Sequence, residues 1–437
     1  MENLVPMFQA FLGLGPTVIL PVFIFIIGLI FRCGPAKSFH SGLTIGVGFV
    51  GINLVVALLC DNLGPAAQAM IKNFGIQLNA IDIGWPGSAS MAWASPIAAF
   101  VLPLALVVNI IMLFTKTTKT MDVDIWNYWH FTFCGACVYA LTGSFWQAIV
   151  AAIIFEIVVL KIADWTAPYM EKYFDLPGVS VPTGSTCSYA PLGIPLIWLI
   201  QKIPVIKNLK ADPDSIQKRF GIFGEPIFMG LFLGAVLGVL AGYNAGEVAK
   251  VGMAMAGVMV LMPRMVKLLM EGLIPISEAA RNVLQKRFGE NANIYIGLDA
   301  AVTTGHPAVI ATALILVPIT ILLAVILPGN NVLPFGDLAT IPFIVAMIVA
   351  AARGNIVHSV LAGIVAAARG NIVHSVLAGI VVISLSLLMS TAMAEFQTTM
   401  GVIANFKMPE GSTLISSIDQ AGNLINFIIF KAFALFN

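Results

Sequence analysis

Charge is scarce in this chain. Only 10% of its 437 residues are Asp, Glu, Lys or Arg, and 59% are hydrophobic, whereas a soluble domain carries roughly a quarter charged residues with which to face water. A water-covered surface is excluded, so the chain is expected in a lipid bilayer. Neither sign prevails: 22 basic and 21 acidic residues leave a formal charge of +1, which gives no footprint for nucleic acid. Cysteine is thin too. Cys33, Cys60, Cys134, Cys137 and Cys187 are too few and too scattered for a disulfide framework. Cys134 and Cys137, inside an apolar stretch, read as packing residues on one helical face rather than as metal or redox ligands. Phosphate-loop, Gly-x-Ser-x-Gly and zinc-protease patterns are absent, so neither a nucleotide-driven motor nor a hydrolase is expected. The sequence implies no cofactor and no metal. Met1-Glu2-Asn3 lacks the basic region of a cleavable leader, and the first apolar run is read as a permanent helix.

What the chain has in abundance is apolar length. Strong runs lie near 5–31, 41–60, 96–114, 131–160, 190–204, 222–242, 248–263, 307–327, 338–362 and 364–394. They lack the strict alternation of a spanning barrel. The fold class expected is therefore an all-α polytopic membrane protein with about 10–12 transmembrane helices, at about 20 residues per span. Arg32 and Lys37 follow the first run and no basic residue precedes it, which puts the N-terminus outside and this turn in the cytoplasm. The basic segments 202–219 and 264–288 are assigned to the cytoplasm by the same rule. In the second, charges at helical spacing predict a helix lying in the interface and kinked at Pro275.

Two polar stretches between spans are of another kind: Gly84-Trp85-Pro86-Gly87-Ser88-Ala89-Ser90, and the eleven residues from Gly297 to Pro307. Non-helical backbone at membrane depth survives only where protein or a watery cavity surrounds it, which makes both candidate site loops. An internal repeat links them. Pro16 and Pro226 are 210 apart, Gly84 and Gly297 213, Phe131 and Phe343 212, and the segments beginning at Gly143 and Gly354 211. Four matches in order at nearly constant spacing imply two structurally related halves, inverted if each half has an odd number of spans. Paired helix breaks in corresponding positions are the best sequence pointer to a transporter site at the midplane. A second repeat differs in nature: residues 348–363 recur unchanged at 364–379. Sixteen residues turn a continuous helix by about 1600°, so the copies face opposite ways, and the duplication reads as an insertion. Glycines 230, 234, 238 and 242 form a ridge for close helix approach, within the subunit or across a dimer.

Ionisable and polar groups inside apolar surroundings are costly and point to function. Asp299, Thr303, Thr304 and His306 offer carboxylate, hydroxyl and imidazole groups within eight residues, a set suited to a polyhydroxylated ligand whose hydroxyls both donate and accept. The bland alternative is that Asp299 caps a helix and His306 sits in a turn. Gln147 and His358, with Asn355 beside the latter, are related by the repeat and lie beyond Gly-containing breaks; helix-to-helix hydrogen bonding would equally explain them. Trp85 and Trp93 could stack on a sugar face or sit in an interfacial belt, and Ser88 shares the first loop. Glu225 reads as a helix-N-terminal carboxylate, and Glu156 as an interfacial one near Lys161.

Residues Gly224-Glu225-Pro226, the Gly297-to-Pro307 stretch and the Asn330-to-Leu338 stretch resemble the galactitol-specific enzyme IIC family, membrane subunits of the bacterial phosphoenolpyruvate-dependent phosphotransferase system within the ascorbate/galactitol group. The likeness runs over nearly the whole chain. It implies a multi-pass homodimer in the bacterial inner membrane that carries galactitol or a related hexitol. It implies no autonomous catalysis, because a separate IIB subunit bearing phosphocysteine, charged by a IIA subunit, phosphorylates the alditol. By the same analogy residues 1–60 are scaffold helices of the first half, 61–205 its core, 206–221 a cytoplasmic linker, 222–288 scaffold and interfacial helices of the second half, 289–395 its core, and 396–437 a C-terminal segment. Alternating access would slide the core, with its re-entrant loops, along the scaffold. The duplication departs from the family pattern and sets His374 beside His358 as a rival. An ion-coupled secondary transporter of a polyol or sugar is the alternative from the residues alone.

Overall fold

The computed structural model describes residues 16–74, 78–122, 124–200, 202, 225–288, 294–304, 306–334, 336–353, 380–406, 408 and 412–435. Two helices open the chain, α1 (Pro16–Ile30) and α2 (Pro35–Phe74). Then come β1 (Ala80–Asp82), α3 (Gly84–Ala94), α4 (Ala98–Phe114), β2 (Thr120–Asp122), α5 (Tyr128–Thr142), α6 (Phe145–Phe174), β3 (Val179–Ser180), the single turn α7 (Gly184–Cys187) and α8 (Ala190–Ile200). The same order begins again at α9 (Pro226–Leu240) and α10 (Ala245–Phe288). It continues through β4 (Tyr295–Gly297), α11 (Ala301–Thr304), α12 (Pro307–Ile326), β5 (Val332–Leu333), α13 (Ile341–Ala351), α14 (Ile380–Ile403), β6 (Leu414–Ser416) and α15 (Leu424–Ala434).

The chain is mostly helical, as its apolar runs require. Among the described residues α6 is the one helix long and apolar enough by itself to cross a bilayer; others, such as α13 and α15, are shorter apolar helices. The stretch from Gly84 to Ser90 is not irregular as expected: it is the start of α3, and the break falls at Gly84 itself. Pro275 lies within α10, which runs through it to Phe288. The duplicated segment beyond residue 353, with Asn355, His358 and His374, lies outside the described residues, as does the linker 206–221.

Helices α1, α2, α9 and α10 pack on one another. The glycine ridge explains how closely α9 and α10 approach: a Cβ at Gly234 would stand 2.6 Å from the Val251 carbonyl oxygen, and one at Gly230 2.7 Å from that of Met255. The two hairpins run in opposite directions. The turn after α1 meets α10 near its far end, where the Cys33 thiol donates to the Pro275 carbonyl (3.5 Å). The turn after α9 meets the end of α2, where Asn73 Nδ2 donates to the Ala241 carbonyl (2.8 Å).

The strands are too short to leave a periodic signal, yet they organise the rest. They make two parallel three-stranded sheets, β5-β1-β6 and β2-β4-β3. In each, the middle strand comes from one run of the repeated order and the flanking strands from the other. Ile81 lies opposite Leu333 and Ile415, and Ile296 lies opposite Met121 and Val179. Parallel strands buried on both faces want apolar residues, and these six are all hydrophobic. Gly84 lets the chain leave β1: its φ is +69° and a Cβ would stand 2.6 Å from the Gly336 carbonyl oxygen. Gly84→Ala adds about 1–2 kcal/mol of left-handed strain to that collision. It is expected to lower the unfolding temperature of the detergent-purified protein clearly; a wild-type melt would show that the crossing relaxes without cost.

Candidate functional site

Polar groups collect where the chain leaves these strands. At the end of β1, Asp82 Oδ1 accepts from Gly84 N (2.9 Å) and Oδ2 from Asp337 N (2.8 Å). Asp337 accepts four bonds in turn, from Trp85 N (2.7 Å), Thr340 Oγ1 (2.9 Å), Ser417 Oγ (2.6 Å) and Asp419 N (3.0 Å). At the other sheet Asp124 plays the matching part. It accepts from Trp126 N (3.1 Å) and, across the chain, from Asp299 N (3.0 Å). All of these carboxylates are buried. Paired in this way, burial does not leave them orphaned.

The sequence-predicted residues fall into distinct places. Asp299 is buried; Oδ1 accepts from Ala301 N (2.9 Å), which caps α11, and Oδ2 from Thr183 Oγ1 (3.1 Å). Thr303 and Thr304 bond back to carbonyls of their own helical turn (2.6 and 3.0 Å). His306 is the N-cap of α12, with Nδ1 accepting from Ala308 N (3.2 Å) and its ring against Tyr173 and Phe174. Ser88 Oγ accepts from Gln397 Nε2 (3.0 Å), and Trp93 is buried. Glu225 stands just before α9, exposed. Glu156 is buried in mid-helix, with no partner for either oxygen among the described residues, and so is not interfacial. Trp85 stacks edge-on against Trp126 at 5.6 Å. Since Trp126 and Asp299 share the Asp124 carboxylate, the two expected loops approach each other through two intervening residues, Trp126 and Asp124. Gln147 is not brought to them. It begins α6, and α5, which starts at the site with Tyr128, carries the chain about 20 Å away before the turn at Gly143.

Sequence reasoning missed a cluster between these loops. Ser185 Oγ donates to Asp419 Oδ2 (2.8 Å), and Gln420 Nε2 donates to the same oxygen (2.7 Å). Asn423 Nδ2 holds the Gly184 carbonyl (3.1 Å). His130 closes the group: a Cβ at Gly184 would come within 2.8 Å of its Cβ and Cγ, and its ring lies 4.0 Å from that of Trp129. Four buried polar atoms here have no hydrogen-bond partner among the described residues, namely His130 Nδ1, Trp129 Nε1, Asp419 Oδ1 and Gln420 Oε1. They include both donors and acceptors. The cluster joins α5, the single turn α7 and the polar stretch Ser416–Asn423, which has the same Gly-containing, polar character as the Gly297-to-Pro307 stretch. Among the described residues, no group of three His, Cys, Asp or Glu side chains could hold a metal ion.

A family model, described as the sugar-specific permease component of the phosphotransferase system, matches residues 10–411. The chain belongs to this family. The permease is 41% identical over 423 residues to the galactitol-specific EIIC component of the phosphotransferase system from Escherichia coli (strain K12), covering 97% of this chain and 90% of that protein. The same figures hold for the component of that name from Escherichia coli O157:H7. A permease IIC component of strain K12 is 38% identical over 429 residues, covering 98% and 94%. Cys134 and Cys137 of the permease are both buried in helix packing, and no phosphate loop occurs in its sequence.

Proposed function

We propose that this permease carries galactitol, or a closely related hexitol, across the bacterial inner membrane as a multi-pass subunit, and that partner IIB and IIA subunits phosphorylate it on arrival. The observation that carries this reading is the near full-length likeness to galactitol-specific components. The chemistry of the buried cluster agrees with it. A hexitol is uncharged, and each hydroxyl stripped of water must find both a donor and an acceptor; His130, Trp129, Asp419 and Gln420 offer both kinds. Thr183, two residues before Ser185, donates to Asp299, and Asp337 accepts from both Trp85 N and Asp419 N, so Asp299 and Trp85 belong to the surrounding shell. In the transfer step the S–P bond to the partner's cysteine breaks, an O–P bond to the hexitol forms, and the hydroxyl proton leaves. The permease positions the acceptor hydroxyl.

The repeated element order, the opposed hairpins and the exchanged strands support two related, inverted halves. Mutual packing of α1, α2, α9 and α10 supports their role as a scaffold, paired in a homodimer, along which the rest would move as an elevator. In membrane vesicles, uptake is expected to yield only the phosphorylated hexitol and to require phosphorylated IIB. Accumulation of free galactitol under a proton gradient without a phosphoryl donor would overturn this and favour an ion-coupled transporter. Asp299→Asn is expected to weaken galactitol binding by about 1.5–3 kcal/mol, one charge-assisted hydrogen bond, with expression unchanged. Titration calorimetry checks it, and an unaltered Kd would remove Asp299 from the site.

A further inference from the structure

Five non-glycine residues adopt a left-handed backbone, each just past a helix: Arg32, Lys116, Asp175, Arg353 and Asn405. Glycine is the usual occupant of this position, because a Cβ there crowds the following carbonyl. The repeated element order supplies an internal comparison. Arg32 after α1 corresponds to Gly242 after α9, Lys116 after α4 to Gly329 after α12, and Arg353 after α13 to Gly143 after α5. All three glycines have positive φ and all six turns are exposed. At three equivalent turns, one copy uses the unstrained residue and the other a strained basic one. The fold does not demand the charge.

The basic turns share one face. Phe31 packs against the cluster of Leu113 and Met121, and Ala351 against the cluster of Met170. Met170 lies in the second half of α6, as does Lys161, whose Nζ donates to the Thr117 carbonyl (2.6 Å). This is also the face of Arg32 and Lys37, assigned to the cytoplasm by the positive-inside rule. On it Lys116, Lys119 and Lys161 crowd around one loop. Lys161 approaches Asp164 (3.8 Å), while Lys116 and Lys119 make no ion pair among the described residues. Asp164 is turned to other use: it accepts from Thr118 Oγ1, Thr120 Oγ1 and Lys119 N. The corresponding loop on the opposite face, Leu327-Pro328-Gly329-Asn330-Asn331, carries no charge. From Lys119 the strand β2 leads directly to Asp122, about 10 Å at strand spacing, and so to the carboxylates of the site.

We propose that Lys116, Lys119 and Lys161 form the docking surface for the phosphorylated IIB-type partner, whose phosphoryl group is anionic; this rests on the function proposed above. Concentration of the three lysines over the strand that enters the site favours a partner that must reach that site over lipid headgroups, which any rim position would serve. Lys116→Gly installs the residue of the equivalent turn and removes the left-handed strain, so the Lys116→Gly/Lys119→Gln double variant should fold as well as wild type. In inverted vesicles supplied with phosphorylated IIB at graded concentration, the KM for that protein is expected to rise about tenfold, as loss of steering charges does. The maximal rate and the galactitol Kd should stay unchanged, and the salt dependence of the KM should flatten. If the double variant is poorly recovered, Lys119→Gln alone makes the same test with a smaller shift in the same direction. An unchanged KM overturns the proposal. So does a loss of rate that is restored by raising the anionic lipid fraction of proteoliposomes rather than the concentration of partner. A wild-type protein that forms no galactitol phosphate at any partner concentration would instead count against the functional reading.

Discussion

Replacing Asp337 by alanine is expected to abolish recovery of folded protein. Its carboxylate accepts from two backbone N–H groups, of Trp85 and Asp419, and from two hydroxyls, of Thr340 and Ser417. It thereby ties residues 82–85 and 417–419 to its own segment. Alanine would leave four buried donors without an acceptor. At about 1–3 kcal/mol for each unsatisfied group, the loss approaches the whole of a stability of about 5–15 kcal/mol. Asp124→Ala removes only two such bonds and should leave protein that melts lower but can be purified. Size-exclusion profiles and melts in detergent give the ranking; an Asp337→Ala protein as stable as Asp124→Ala would show that the four donors find other partners.

The second large effect concerns recognition rather than folding. Asp419 spends Oδ2 on Ser185 and Gln420, and its Oδ1 has no partner among the described residues. In Asp419→Asn an amide oxygen can retain the Ser185 bond, but the spare position becomes a donor and loses its charge. Galactitol affinity is expected to fall by about 1.5–3 kcal/mol, roughly ten- to a hundred-fold in Kd, with little change in melting. His130→Gln should act in the same direction, because it withdraws the imidazole nitrogen aimed into the cluster. Gln147→Ala, at the distant turn, should leave Kd unchanged. Titration of the purified variants separates these outcomes. Wild-type affinity in both Asp419→Asn and His130→Gln would remove the cluster from the site.

Much of this architecture can be read in the residues. Apolar runs locate the helices, and the spacing from Pro16 to Pro226 and from Gly84 to Gly297 anticipates the repeated element order. The ridge at Gly230, Gly234 and Gly238 anticipates the close packing of α9 on α10. The strands were not legible, because two or three residues such as Ala80-Ile81-Asp82 cannot display a period. The site was half legible. Asp299 and Trp85 stand just after strands, beside glycines and prolines that advertise a break. His130, by contrast, sits in an aromatic helix where a lone imidazole looks like core. The stretch Ser416–Asn423 lacks proline and follows no long apolar run, so its break in helicity carries little contrast. Glu156 shows the reverse error: Lys161 is five residues away in sequence, but that lysine turns to Thr117, and the carboxylate faces inward.

The exchange of middle strands also constrains how the chain can be made. Residues 120–122 and 179–180 emerge from the ribosome long before residues 295–297, which must lie between them. The first 200 residues therefore cannot complete either sheet alone, and their polar strand edges must wait, shielded by helices, for the remainder to be synthesised. Sequence-distant pairing of this kind slows folding. Each half is thus the other's assembly template, and a gene cut between them would yield stable protein only when both pieces are produced in the same cell.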